Sequence, residues 1–369
     1  LPLYAALPLM YHADLSFTDA YFETVSGLTT TGATVMVGLD DLPLSINLRR
    51  CELVWLGGMG VVVLAVAILP LLGIGGRQMF KAETPGPMKE SKLTPRIAET
   101  AKGLWGVYVL ITAACILGFR WAGMDWADAV MHAFSTMGLG GFSSHDASFG
   151  YWDSPAIELV TEFFMLLAGM NFATHFLALR GRSISPYLLD PEARWFLLFT
   201  VGSVFALAVF LKFHEVYPDF ATALRFSAFN TISIATTTGF ANTDYNLWPM
   251  FAPLWMLFLC SFATSAGSTG GGIKMMRAII LYKQVFRELV RAMHPAAVCP
   301  VRLGTEPVPQ NILFAVLAFG FMYMVSLVSL TLVLSFSGLE IITAFSAVVA
   351  MVNNTGPGLN EVGPATNYQ

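Results

Sequence analysis

Six apolar runs, at about residues 51–73, 103–122, 156–179, 194–213, 248–289 and 310–336, are each long enough to cross a bilayer as a helix, given that a hydrocarbon core of roughly 30 Å takes about 20 residues. Residues 1–10 read as the tail of a further one. Between these runs lie four shorter apolar segments, at about 17–28, 125–137, 219–234 and 339–352, which are too short to span. Each opens on a capping signal: Ser16 with Asp19, Asp125 with Asp128, Asp219 after Pro218, and Ser337 with Glu340. Each ends in a cluster of Gly with Thr or Asn. Two readings fit: four apolar surface loops, or four re-entrant helices that enter the membrane part way and return as extended backbone.

Internal repetition favours the second. The four endings align as VSGLTTTGATV (25–35), FSTMGLGGFSS (134–144), ISIATTTGFAN (232–242) and AMVNNTGPGLN (350–360), which superposes Gly32, Gly141, Gly239 and Gly356 at near-constant spacing. Six residues before each glycine stand Ser26, Ser135, Ser233 and Ala350. The predicted unit is a spanning helix, a re-entrant helix, a Gly loop and a second spanning helix. The predicted fold is therefore an all-α membrane protein with four helix–pore-loop–helix repeats. The chain divides into a first unit at 1–73, a link at 74–102, a second unit at 103–180, a link at 181–193, a third unit at 194–289, a link at 290–309 and a fourth unit at 310–369.

Composition agrees. Of 369 residues, 56% are hydrophobic and 12% charged, against about 25% charged in an ordinary soluble domain. The mean hydropathy of +0.64 points the same way. A cytosolic globular enzyme, a disordered or collagen-like chain and a nucleic-acid binder are excluded. Cys51, Cys115, Cys260 and Cys299 form no C-x-x-C pair and read as buried thiols, not disulfides or metal ligands.

Charge placement adds the orientation. The stretches 74–103, 180–194 and 274–302 hold all of the 20 Lys and Arg except Arg49, Arg50, Arg120, Lys212 and Arg225. Those stretches are expected on the cytoplasmic side. Because all three fall on one side, successive repeats run parallel around a pseudo-fourfold axis, and inverted repeats are disfavoured. The opposite side carries Asp40, Asp41, Asp146, Asp153, Asp244 and Glu361, an acidic mouth that attracts cations.

Non-helical backbone at membrane depth is costly unless it is buried in protein or lines a watery cavity. Backbone carbonyls can replace the water shell of an alkali cation, and Gly permits the angles that turn them to one side. The expected lining is Thr30, Thr31 and Gly32; Leu139, Gly140 and Gly141; Thr237, Thr238 and Gly239; Asn354, Thr355 and Gly356. Each short helix would aim its carbonyl end at the ion path, which favours a cation. A further break, Ala266-Gly267-Ser268-Thr269-Gly270-Gly271-Gly272-Ile273-Lys274, interrupts an apolar stretch far longer than one span. It does not match G-x-x-x-x-G-K-[ST], so it is either an ordinary inter-helix loop or an obstruction beneath the four loops. Lys274 at its end faces the cavity or the cytoplasmic surface.

Asn171, Thr174 and His175 fall on one helical face and read as interhelical hydrogen-bond partners. Glu162 must face protein, water or a helix end. The sequence contains no catalytic constellation, so no enzyme is expected.

The segments SGLTTTGATV (26–35), GGMGVVVLAVAILP (57–70), RIAETAK (96–102), GGFSSHDAS (140–148), AGSTGGGIK (266–274) and NNTGPGL (353–359) together resemble the Trk, Ktr and HKT superfamily of potassium transporters, most closely its bacterial TrkH and TrkG branch. The resemblance implies a selectivity filter built from the four loops, K+ as the transported ion with no bound cofactor, and a gating role for the Gly-rich break. It also implies a bacterial cytoplasmic membrane location, a homodimer, and a cytosolic nucleotide-binding regulatory ring as partner. In that family glycine at all four aligned positions accompanies K+ permeability, and serine at the first accompanies Na+ preference; Gly32 is the first here. Family members have helices before the first pore loop and a spanning helix after the fourth, so the sequence reads as a partial chain. The alternative from another class is a proton- or sodium-coupled secondary carrier of cations, which predicts inverted repeats and a buried mid-span acid.

Overall fold

A computed structural model describes residues 2–63, 97–303 and 306–368. The later part of the predicted run at 51–73 and most of the link at 74–102 lie outside the described residues. The described residues form α1 (Pro2–His12), α2 (Phe17–Leu28), α3 (Leu44–Val63), α4 (Ile97–Ala122), α5 (Trp126–Gly138), α6 (Pro155–Ala168), α7 (Phe172–Gly181), α8 (Ser185–Leu189) and α9 (Pro191–Phe213). They continue with α10 (Phe220–Ala235), α11 (Phe251–Cys260), α12 (Met275–Met293), α13 (Gln310–Phe336) and α14 (Ile341–Val352). Two-residue strands, Arg302–Leu303 and Glu306–Pro307, pair antiparallel between α12 and α13.

By length and composition the segments Ala101–Ala122, Pro191–Phe213 and Gln310–Phe336 are able to cross a membrane. Their outer faces carry large apolar side chains in the open, such as Trp121 at 94% and Phe336 at 95% exposure, a surface that only lipid would cover without cost. The predicted span at 156–179 differs: it is two helices, α6 and α7, bent by 96°. The break has a local cause. Gly169 caps the end of α6, and the Asn171 Oδ1 accepts from Ala173 N (2.9 Å) to begin α7 anew.

The four short helices α2, α5, α10 and α14 match the predicted re-entrant segments to within about two residues, the scatter expected of helix ends. Three caps form as read: Ser16 accepts from Asp19 N, Asp125 from Asp128 N and Asp219 from Thr222 N. The fourth does not. Ser337 closes the end of α13, donating from Oγ to the Leu334 carbonyl (2.6 Å), and Glu340 stands at the start of α14 without a side-chain cap bond. A Ser followed three residues later by Glu fits either end of a chain reversal, and here the preceding helix claims it.

Each later re-entrant helix packs on the first helix of its own repeat and on the second helix of the repeat before. Thus α5 touches α4 and α3, α10 touches α9 and α6, and α14 touches α13 and α11. The interlock buries the C-terminal half of α10 on every face, from Phe229 to Ala235. Within the first repeat, against the second, lies a buried ion pair. Arg50 of α3, 1% exposed, donates from Nε (2.9 Å) and Nη2 (2.7 Å) to Glu23 of α2 and from Nη1 to the Ser143 carbonyl (3.1 Å). Glu23 also accepts from Thr34 Oγ1 (2.9 Å) and Val35 N (3.1 Å), pinning the backbone just past Gly32. The first and second repeats therefore share one buried charge network.

Removing one partner of such a pair leaves a buried uncompensated charge, costing about 3–5 kcal/mol. Arg50→Met should lower the thermal midpoint in detergent steeply, and adding Glu23→Gln should recover much of the loss. A single variant as stable as the parent would refute a structural role for the pair.

Candidate functional site

The C-terminus of each re-entrant helix makes the same turn. Thr31 N donates to Ser26 O (2.8 Å), Gly140 N to Ser135 O (3.1 Å), Thr238 N to Ser233 O (2.8 Å) and Thr355 N to Ala350 O (2.8 Å). One residue earlier, Thr30 N reaches Gly27 O (3.0 Å), Leu139 N Thr136 O (3.2 Å), Thr237 N Ile234 O (3.0 Å) and Asn354 N Met351 O (3.2 Å). These paired bonds are the Schellman arrangement, which satisfies helix-end carbonyls by placing one residue in the left-handed region. That residue is normally glycine. Here it is Thr30 (φ 57°), Leu139 (φ 53°), Thr237 (φ 61°) and Asn354 (φ 53°). Glycine was expected to permit the unusual backbone, and the helix closure requires such a conformation two residues sooner as well.

Two residues on, Gly32, Gly141, Gly239 and Gly356 also have positive φ, at 78°, 65°, 88° and 88°. Their surroundings close a ring. A Cβ on Gly32 would strike the Gly140 carbonyl, one on Gly141 the Thr238 carbonyl, and one on Gly239 the Thr355 carbonyl. One on Gly356 would lie 2.8 Å from the Thr31 carbonyl and 3.1 Å from the Gly32 carbonyl carbon. Each segment thus abuts the next and the fourth abuts the first. All four glycines line a single cavity of about 670 Å³.

No donor among the described residues bonds to the carbonyls of Thr30, Thr31, Gly32, Leu139, Gly140, Gly141, Thr237, Thr238, Gly239, Asn354 or Thr355. The Gly356 carbonyl accepts from Tyr368 Oη (2.7 Å). Tyr368, whose N donates to Thr34 O (3.0 Å), was not anticipated, because a tyrosine far along the chain has no local signal. Thr29 and Thr236 were also missed; their hydroxyls pair with Thr31 (2.8 Å) and Thr238 (2.7 Å), and the intact recurrence of TTTG was the available clue.

Above the ring the segments are stitched again. Leu39 N donates to Asp146 (3.1 Å) between the first and second repeats, and Phe149 N to Ala241 O (2.9 Å) between the second and third. Asn360 N reaches Asn246 Oδ1 (3.2 Å) between the third and fourth, and the Tyr368–Thr34 bond returns to the first. His145 sits at this rim, hydrogen-bonded through Nδ1 to Asp40 and through Nε2 to Asp128 (3.2 Å), its ring stacked on Tyr151 at 3.6 Å. Burial opposes a charged imidazole, but the two carboxylates outweigh it and raise the His145 pKa. Slight burial likewise opposes the Asp40 carboxylate, and the His145 and Asp146 N–H hydrogen bonds prevail and lower its pKa.

On the other side of the ring lies the Gly-rich break, between α11 and α12. Gly271 N donates to Thr237 Oγ1 (2.8 Å), and Thr269 Oγ1 to the Met137 carbonyl (3.0 Å). A Cβ on Gly271 would strike the Asn353 carbonyl, and one on Gly58 would come 3.3 Å from Thr269 Cγ2. The segment therefore touches all four repeats, at Gly58, Met137, Thr237 and Asn353. Ala266 and Ser268 are buried with it; Gly267 (φ 75°) and Gly272 (φ 79°) supply its reversals, and Gly270 lies against the Thr236 carbonyl. Lys274 turns back, its Nζ on the Gly270 carbonyl and 3.5 Å from Ser268 Oγ. The helix break at 169–171 meets it as well: Ser265 N donates to Gly169 O (3.0 Å) and Phe172 N to Gly267 O (3.1 Å).

Thr174 and His175 are hydrogen-bond partners as read, to Asp190 Oδ2 (3.0 Å) and to Tyr187 Oη (2.7 Å), while Asn171 is the α7 cap and not part of a continuous face. All four cysteines are free, and Cys51, Cys115 and Cys260 are buried as read, whereas Cys299, on the segment after α12, is only partly buried. No group of three or more His, Cys, Asp or Glu among the described residues is placed to hold a metal.

A family model described as TrkH, cation transport protein, matches residues 3–367. The Trk system potassium uptake protein TrkH of Salmonella typhimurium is 47% identical over 97% of this chain and 74% of its own length. The Trk system potassium uptake protein TrkG of Escherichia coli is 41% identical over 96% of this chain and 73% of its own. The crystal structure of the potassium transporter TrkH from Vibrio parahaemolyticus superimposes with a TM-score of 0.89 at 45% identity, over 98% of this chain and 75% of that one.

Two outcomes follow from the geometry. Gly141→Ala meets both positive φ and a carbonyl, whereas Gly38 (φ 71°) has open space around it. Gly38→Ala should cost about 1–2 kcal/mol, the backbone strain alone, and Gly141→Ala clearly more in thermal melting; equal losses would deny the close approach. For His145, a raised pKa means its bridge contributes fully below the free-imidazole value of about 6.5 and is lost as pH rises through the folded value. The lowered Asp40 pKa sets the acid limit. The gap in thermal midpoint between the parent and His145→Gln should be widest near pH 6 and shrink by pH 9; a gap independent of pH would reject the bridge.

Proposed function

The chain belongs to the TrkH family of cation transport proteins, and from that premise we propose that it takes up K+ through one opening bounded by its four loops. It is a multi-pass helical membrane protein, with the pore-loop repeat architecture of its relatives. The observation that carries the reading is the closed ring, in which carbonyls without protein donors border one cavity. An ion entering from the cavity exchanges water oxygens for carbonyl oxygens of Thr30, Thr31 and Gly32 and their counterparts in the other three segments. Four helix C-termini point their partial negative charge at the same place, which favours a cation and rejects an anion.

Size selection follows from the crowding. Because each glycine lies against the neighbouring carbonyl, the segments cannot close further without collision, so a smaller ion is held less completely. The Gly-rich segment Ala266–Lys274 lies across the route inward and acts as the gate. The surface around α12, where Lys283, Arg287 and Arg302 flank exposed Tyr282 and Phe286, is the docking face for the regulatory ring that the family resemblance implies, and a homodimer belongs to the same reading.

In liposomes the full-length protein should pass K+ and Rb+ several times faster than Na+ and Li+, and Gly32→Ser should reduce that preference. Equal passage of all four ions by the parent would remove the selectivity assignment.

A further inference from the structure

Glu192, the second residue of α9, is 3% exposed and has no cationic side chain within salt-bridge distance among the described residues. Its Oε1 accepts from Ala266 N (2.7 Å) and from Met276 N (3.2 Å). Those two amides flank the Gly-rich segment, one at its start and one just past its end. A single carboxylate oxygen therefore clasps both ends of the loop. Other bonds close the same neck: Met275 N reaches Thr264 O (2.8 Å), and Thr264 Oγ1 reaches Gly271 O (2.7 Å). Glu192 reaches the neck from outside the loop's own helices α11 and α12, by a side-chain oxygen that accepts from both of its strands.

The position of that oxygen is set from the cytoplasmic link. Asp190 caps α9, its Oδ1 accepting from Glu192 N (2.9 Å), while its Oδ2 accepts from Thr174 Oγ1 (3.0 Å) on α7. α7 in turn begins at Phe172, whose N donates to Gly267 O (3.1 Å). Movement of the link at 181–193 thus acts on the loop by two routes, at its neck through Glu192 and at the neighbouring Gly267 through α7.

We propose that Glu192 is a positioning residue for K+ passage: its carboxylate latches the Gly-rich segment in the obstructing position and couples it to the link between the second and third repeats. The proposal rests on the reading of that segment as the gate. Breaking the clasp leaves two backbone amides unpaired in a buried site, with the full desolvation penalty of each buried group left unsatisfied.

The test compares full-length parent, Glu192→Ala, Glu192→Gln and a variant shortened within 267–272, each in liposomes with K+, Rb+ and Na+ flux and with amide exchange followed at Ala266 and Met276. Glu192→Ala should raise K+ flux severalfold with the ion order unchanged, and speed exchange at both amides about tenfold or more. Glu192→Gln keeps a carbonyl acceptor and the side-chain volume, so it should lie between Ala and parent in both readouts. If the shortened variant raises flux while Glu192→Ala and Glu192→Gln match the parent, the latch is wrong and the gate stands. If shortening leaves flux unaltered, the gate itself is wrong. Should Glu192→Ala fail to fold, Glu192→Gln with parental exchange at Ala266 and Met276 would overturn the latch alone.

Discussion

Backbone that leaves its carbonyls without partners cannot hold itself in place. Inside a membrane it must be held by neighbours, because neither water nor a regular ladder supplies the missing bonds. The whole chain is organised around this constraint. Four strands of such backbone meet, and each is fixed on three sides: by the turn that ends its helix, by the next strand's carbonyl against its glycine, and by a bond to an adjacent repeat above. Remove one repeat and its neighbours lose a wall, so the fourfold repetition follows from the site as well as from ancestry.

The energetics of the turn explain a choice that otherwise looks wasteful. A non-glycine residue in the left-handed region costs about 1–2 kcal/mol, and four such residues together approach the net stability of a typical domain, about 5–15 kcal/mol. Yet each turn makes two backbone bonds, and a buried carbonyl left without one costs about 1–3 kcal/mol. The bonds outweigh the strain. The side chains then do what glycine could not: Thr237 Oγ1 accepts from Gly271 N, and Asn354 donates from Nδ2 to Thr29 O (2.6 Å), tying the fourth segment to the first.

Much of this was legible in the chain because it repeats. Alignment of SGLTTTG, STMGLGG, SIATTTG and AMVNNTG locates the ring glycines, and hydrophobic run length separates re-entrant from spanning helices. What stayed hidden depends on contacts without a local pattern. The 96° bend between α6 and α7 escapes notice because Gly169-Met170-Asn171 interrupts an apolar run too briefly to change its average. Nothing local marks Arg50 and Glu23 as partners, which become a pair when α2 and α3 enclose them. Glu192 follows Asp190-Pro191 as an ordinary helix-start acid, and nothing in sequence says that its carboxylate turns inward to a loop 74 residues further on.

The two interruptions at 169–171 and 261–274 are best understood together. Each frees backbone groups that a membrane would leave unpaired, and each supplies partners to the other through Ser265 with Gly169 and Phe172 with Gly267. A loop held only by its own glycines would drift among many conformations, since glycine imposes little on the backbone. Bonded across to a second break and to Glu192, it has one well-defined position, and leaving that position strands several amides and carbonyls at once. Small displacements are therefore penalised as heavily as large ones until a second complete set of partners is found. That is the condition for two discrete states in place of a continuous slide, and it is why the Gly-rich segment suits the gating role proposed for it better than a longer, more polar loop would.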